Sequence, residues 1–128
     1  MSSPGFSRFY TREEVRAMLP EMRAALPRLR ETRQAMQAIE QRLRSLTSDG
    51  SDYGGRMVHE YLEAVLVFKE LMLPLLERQI VVSDYERGVV NFPAIVAGRE
   101  ALLVWEEGDE DVEFWMDLRD PGAGPHRL

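Results

Sequence analysis

The residues best suited to hold a ligand are aromatic and lie in the last third of the chain. Trp105 and Trp115 flank the acidic segment, residues 106–111. Aromatic side chains line small-molecule pockets, and an arginine can fix an anionic group within one. The candidate ligand-binding residues are Phe92, Arg99, Trp105, Trp115 and Arg127. Because a small sheet has few other groups to bury, these aromatics are also expected as its core, which is the interpretation that the sequence favours.

Residues that could bind a metal are few. His59 and Glu63 are four apart on a predicted helix, but a zinc-peptidase motif requires histidine at position 63. The acidic segment holds five carboxylates in six residues without the alternating ligands of a calcium loop. The chain has no cysteine, so it has no thiolate ligand, disulfide or thiol nucleophile. We therefore expect no metal, no cofactor and no catalytic residue.

Charge is distributed unevenly along the chain. Residues 8–46 carry nine arginines and five acids, whereas residues 84–120 carry eleven acids and three arginines. Four of the arginines share one position of a seven-residue repeat and form the basic ridge: Arg16, Arg23, Arg30 and Arg44. The net charge of -6 argues against a general nucleic-acid binder, although the basic ridge leaves an anion contact open. We expect the acidic segment to lie within reach of the basic ridge, in the same chain or a neighbouring one.

These residues must be positioned by the elements that the apolar pattern predicts. Thr11 and Glu14 form a capping box, which predicts that a helix begins at residue 12. Two apolar sets then repeat every seven residues over nearly five repeats. They are Val15, Met22, Leu29, Met36 and Leu43, and Met18, Ala25, Thr32, Ile39 and Leu46. Pro20 and Pro27 lie opposite this seam, which favours one bent helix over two helices.

A second helix is predicted over residues 56–79, after a turn-rich linker at residues 47–55. Its seam positions are Val58, Val65 and Met72, and Tyr61, Phe68 and Leu75. Leu66, Val67 and Leu73 fall outside that seam. The one face of the helix that is clearly expected to contact water is the acidic ridge, which consists of Glu63, Glu70 and Glu77. A helix that is apolar around most of its circumference is buried on more than one side. One partner helix is therefore not enough for it.

The pattern of the remaining residues predicts short strands. A β-rich stretch begins at residues 80–82, and we predict strands at residues 89–96, 99–105 and 112–116, followed by an irregular tail. Pro93 places the first of these strands near an edge or bulge. The fold class is α+β: a long antiparallel helical hairpin followed by a small antiparallel β meander. Residues 1–128 are predicted as a single domain, with the hairpin at 11–79 and the β module at 80–128.

Several short motifs keep their order and spacing over most of the chain. The first is matched by Tyr10, Thr11, Glu14, Met18, Leu19 and Pro20, and a later one by Gly88, Val89, Val90, Asn91, Phe92 and Pro93. Further matches are Gly98, Arg99, Trp105, Gly108 and Trp115. In these features the chain resembles a small bacterial family, the domain of unknown function 2203. The resemblance implies no established activity.

The sequence departs from the family pattern at three polar positions. Asn91 replaces an expected aspartate, Val104 a cysteine and Met116 a histidine. If relatives use those groups for metal binding or catalysis, this chain lacks the acid, the thiol and the imidazole. The departures therefore weaken an enzymatic interpretation.

The sequence thus favours a non-enzymatic structural or interaction protein that homodimerises through its helical hairpin. The alternative is a small ligand- or metal-binding protein, or an enzyme, that uses the aromatic β module. The first residues lack the blocks of a signal peptide, and no stretch is apolar enough to span a membrane. We expect a cytoplasmic protein that contacts neither membrane nor nucleic acid.

Overall fold

The structure, a computed structural model, describes residues 5–48 and 54–128 of the chain. Two helices, α1 (Arg12–Ser48) and α2 (Gly54–Glu77), precede five strands. The strands are β1 (Val81–Asp84), β2 (Val89–Val96), β3 (Arg99–Glu106), β4 (Phe114–Asp117) and β5 (His126–Arg127). This order confirms the predicted α+β class, with a helical hairpin followed by a β meander.

Helix α1 begins at the predicted capping box. The Thr11 hydroxyl accepts a hydrogen bond from the Glu14 main-chain N–H, and the Glu14 carboxylate accepts one from the Thr11 N–H. The helix then continues through Pro20 and Pro27, both of which are exposed. The prediction of one helix rather than two is therefore confirmed.

Helix α2 ends in a left-handed turn that the sequence does not signal. Gln79 has φ +60°, and the Ile80 N–H donates to the Leu75 carbonyl across it. Glycine is the usual residue at such a helix end because it has no Cβ. The Gln79 side-chain oxygen also accepts hydrogen bonds from the main-chain N–H groups of Ser7 and Arg8. This turn therefore holds the segment that leads into α1.

The two helices are antiparallel. Glu40 accepts a hydrogen bond from the Tyr61 hydroxyl at 2.7 Å, and Arg78 forms an ion pair with Glu21. Both contacts join residues nearly equally far from the connection between the helices. Of the predicted linker, residues 47–48 continue α1 and 54–55 begin α2. The remainder, residues 49–53, lies outside the described residues.

The strands form one antiparallel sheet in the order β1-β2-β3-β4-β5. The predicted bounds of β2 are confirmed, β1 lies in the predicted β-rich stretch, and the bounds of β3 and β4 shift by one or two residues. The prediction of an irregular tail is wrong in part, because His126 and Arg127 pair with β4 as a fifth strand. A strand of two residues has no apolar alternation of its own, so its pairing depends on the partner strand.

Pro93 lies in the part of β2 that β1 does not pair with, where the lack of an N–H leaves no ladder hydrogen bond unmade. The pairing of β1 with β2 ends at Asn91, and beyond it the Tyr10 N–H donates to the Pro93 carbonyl at 2.7 Å. Proline is tolerated in a sheet where no ladder hydrogen bond is needed from its nitrogen. The segment before α1 thus extends this edge of β2.

The chain divides into two compact units. The sheet unit comprises Met1–Ala24 and Leu75–Leu128, and the hairpin unit comprises Ala25–Pro74. The sheet unit has a core drawn from the strands and from the helical turns that belong to it. Its buried side chains include Val15, Leu19, Met22, Leu75, Ile80, Val90, Phe92, Leu103 and Trp105.

The capping box predicts a measurable effect on stability. Replacing Thr11 by alanine removes the acceptor for the Glu14 N–H, so the free energy of unfolding should fall by about 1 kcal/mol. Urea denaturation followed by circular dichroism measures it. The variant Thr11→Ser keeps the hydroxyl and should lose much less. An equal loss in both variants would contradict the cap.

Candidate functional site

The hairpin unit exposes a row of large apolar side chains on α2. This apolar stripe consists of Val58, Leu62, Leu66 and Leu73, which are 44%, 53%, 61% and 53% exposed. Val67 lies beside the stripe and is 43% exposed. Exposed apolar surface that is continuous marks an interaction site more often than isolated side chains do. The exposure of Leu66, Val67 and Leu73 agrees with their predicted place outside the seam, whereas Val58 was predicted within the seam.

The interior of the hairpin unit is thin. Among its described residues only Leu26 and Leu29 are buried, and the seam side chains of this unit other than Leu29 remain at least partly accessible. The hydrogen bond from Tyr61 to Glu40 crosses between the helices and raises the pKa of Tyr61 above its ordinary value. Two helices side by side enclose little volume, so most apolar side chains of this unit keep contact with water.

Charged side chains border the apolar stripe. Glu63 and Glu70 of the acidic ridge are exposed. They directly follow Leu62 and Lys69, which lie on the side of α2 that carries the apolar stripe. Glu63 lies 3.0 Å from the imidazole of His59, one turn earlier, and both side chains are well exposed. Exposed pairs of this kind contribute little to stability. The apolar stripe thus has a polar border, like a protein interface.

In the sheet unit, the basic ridge meets the acidic segment of the same chain. The Arg16 guanidinium donates to both carboxylate oxygens of Asp111, at 3.2 and 2.8 Å, and Arg12 lies 3.3 Å from one of them. Asp111 also accepts a hydrogen bond from the Val112 N–H. The hydrogen bond from Arg16 is the main cause that lowers the pKa of Asp111. The predicted proximity of the two charged regions is confirmed within one chain.

Trp105 contacts the same acidic segment and is fully buried. Its indole N–H donates to the Asp109 carbonyl at 2.9 Å. The Arg23 guanidinium lies 5.7 Å from the ring centroid and donates to the carbonyls of Asp109 and Glu110. Two members of the basic ridge, Arg16 and Arg23, are therefore engaged by the chain itself, which argues against their use for an external anion.

The other candidate ligand-binding residues are distributed over the sheet. Phe92 is fully buried and meets the Tyr10 ring edge-on. Arg99 forms an ion pair with Asp117 at 3.1 Å, and Trp115 stacks against His126. Arg127 lies over the Phe114 ring. Each of these residues has a partner in its own chain, and a ligand held among them stays a prediction.

The three positions that depart from the family pattern lie on one face of the sheet. Asn91 pairs with Val104, and Met116 pairs with Leu102, two residues from Val104 along β3. Side chains two residues apart on a strand share a face, so the three positions share it as well. The side-chain oxygen of Asn91 is buried without a hydrogen-bond partner. Within residues 5–48 and 54–128, no three histidine, aspartate or glutamate side chains gather to hold a metal ion.

Comparison with known proteins assigns a family and no more. Residues 8–128 match the model of a family described as "Uncharacterized conserved protein (DUF2203)". No curated protein and no solved structure matches the chain. Neither helix, over its described residues, is long and apolar enough to cross a membrane.

The contact between Asp111 and Arg16 predicts a pH-dependent contribution to stability. Because the pKa of Asp111 is lowered in the folded chain, its contribution is present above about pH 4, the ordinary range of an aspartate, and is lost as the pH falls through the folded value. The variant Asp111→Asn should therefore be less stable than the parent at pH 7, and the difference should shrink on acidification. Thermal denaturation between pH 7 and pH 2 measures it.

Asp109→Asn is the matched control, since Asp109 accepts hydrogen bonds from Arg23 and Trp105 through its main-chain carbonyl, which the substitution keeps. It makes the same change of charge two residues away and should have a smaller effect at pH 7. A stability difference for Asp111→Asn that stays constant with pH would contradict the role of the ionised carboxylate.

Proposed function

The chain belongs to the DUF2203 family of uncharacterized conserved proteins, and we propose that this member is a non-enzymatic structural or interaction protein that homodimerises through its helical hairpin. The proposed location is the cytoplasm, a reducing compartment that suits a composition without cysteine. Since the family description assigns no activity, support must come from the molecule itself.

The apolar stripe on α2 is the observation that carries the proposal. Leu62, Leu66 and Leu73 are each more than half exposed on a helix whose unit has two buried side chains among its described residues. Fully burying one such side chain is worth about 1.5–3 kcal/mol. A second copy that covers the stripe would bury two sets of these side chains at once.

A two-fold pairing of hairpins suits this surface. In a symmetric dimer the same patch from each copy forms the interface, so an apolar stripe meets an apolar stripe. Four helices around a shared core can bury a stripe and a seam together, which two helices cannot do. The second copy would supply the further partner that the composition of α2 requires.

The aromatic residues of the sheet unit support a structural role. Phe92 and Trp105 have no exposed surface, and Trp105 has its indole N–H bonded to the main chain. Buried aromatics of this kind stabilise a core through contact area and a satisfied donor. The two side chains serve the packing of the core, which favours an interaction protein over a ligand-binding one.

Light scattering on the purified protein tests the proposal. The parent chain at micromolar concentration should have the mass of two chains, and Leu66→Glu or Leu73→Glu should reduce it to that of one. A carboxylate in the centre of an apolar interface must be desolvated, so dimerisation should weaken by at least tenfold, about 1.4 kcal/mol.

Ile95→Glu is the matched control. Ile95 lies on β2 and is 52% exposed, nearly the same as Leu73 at 53%. This variant should keep the mass of two chains, and circular dichroism should show that all variants remain folded. A parent chain with the mass of a single chain would refute the proposal.

A further inference from the structure

The three leucines of the apolar stripe, together with Lys69, have the spacing of a coiled-coil seam in which Lys69 is the one charge. Leu62, Leu66, Lys69 and Leu73 follow one another at intervals of four, three and four residues, which is the heptad spacing of a helix that pairs with another. Lys69 is the single lysine of the chain and is exposed. A charge within a seam stabilises little by itself but selects the orientation and identity of the partner.

We infer that the second copy docks through α2 in the antiparallel direction and that Lys69 determines this orientation. The inference rests on the proposed dimerisation and adds its geometry. Lys69 acts here as a specificity-determining residue, and its partner is the acidic ridge of the other copy.

The parallel arrangement is disfavoured by charge. Equivalent seam positions meet in a parallel pair, so the two Lys69 ammonium groups would face each other between leucines. Like charges brought together away from water repel, and each also loses hydration. The parallel dimer would therefore lose stability at the centre of its interface.

The antiparallel arrangement gives each lysine an apolar and an acidic neighbour. Seam positions of opposite type meet, so Lys69 lies across from Leu66 of the second copy, and Leu62 lies across from Leu73. Glu63 and Glu70 come three residues before and four residues after Leu66, on one flank of the seam. The Lys69 stem can then cover Leu66 while its ammonium group reaches this acidic flank.

The antiparallel pairing also brings the acidic ridges of the two copies together. In an antiparallel pair, Glu63 and Glu70 of both copies approach one edge of the interface, where four carboxylates would repel one another. One Lys69 from each copy offsets part of that charge. The stripe and the acidic ridge therefore complement a second copy of themselves only when Lys69 is present.

Introduced cysteines report the orientation directly, because the natural chain has none. The variants Leu62→Cys and Leu73→Cys are prepared separately, one with a tag that changes its mass, and are then mixed and oxidised. A disulfide requires Cα atoms within about 7 Å. The antiparallel dimer should give several-fold more disulfide between the two variants than within either one, as measured by non-reducing electrophoresis.

A second measurement tests Lys69 itself. Lys69→Glu places six carboxylates at the interface and should weaken dimerisation by at least tenfold in light scattering, whereas Lys69→Arg should not. Restoring a positive charge on the flank with the double variant Lys69→Glu, Glu70→Lys should recover part of the loss. Circular dichroism confirms that each variant is folded.

The outcomes separate this inference from the proposed function. A parent chain of single mass refutes both. A parent dimer that Leu66→Glu dissociates, but in which each cysteine variant links to itself, keeps the proposed function and overturns the antiparallel orientation. A dimer that is unaffected by Lys69→Glu overturns the role of Lys69.

Discussion

Two helices that pack side by side bury one apolar seam between them, but α2 carries apolar residues on more than one face. Its apolar residues occupy the seam that faces α1 and continue onto the apolar stripe, where Leu66 is 61% exposed. In the sheet unit, by contrast, helical side chains such as Val15 and Leu19 are fully buried together with strand residues. A second layer is what buries the remaining face of a helix. The hairpin unit contains no such layer among its described residues, and this shortage underlies the proposed interface.

Charged side chains have different surroundings in the two units. In the sheet unit, Arg16 and Asp111 are paired within one chain, and Arg23 covers Trp105, so opposite charges fix the loop between β3 and β4 against α1. In the hairpin unit, Glu63 and Glu70 border an apolar surface together with Lys69. Surface charges contribute little stability by themselves, but their arrangement excludes wrong orientations. The same chemistry thus closes a loop in one unit and can select a partner in the other.

The sequence predicted those features whose signals are local. The bounds of β2 follow from turns on either side, where Gly88 and Gly98 adopt positive φ, and α1 begins at its capping box. The stripe residues Leu66 and Leu73 were identifiable because helical periodicity places them away from the seam. The features that the sequence did not predict depend on groups that are distant along the chain. The left-handed Gln79 carries no glycine signal, and Arg12, outside the basic ridge, reaches Asp111 only because the fold brings the two together.

The interrupted order of the sheet unit along the chain bears on how the protein folds. Its core needs the first turns of α1 and the strands, yet the whole of Ala25–Pro74 lies between them in sequence. Bringing such distant segments together costs loop-closure entropy, and contacts of large sequence separation slow folding. A helical hairpin forms from near neighbours and joins the same two segments, so it is suited to form early and to shorten the search. Anything that stabilises the hairpin, such as the proposed second copy, would then also hasten completion of the sheet unit.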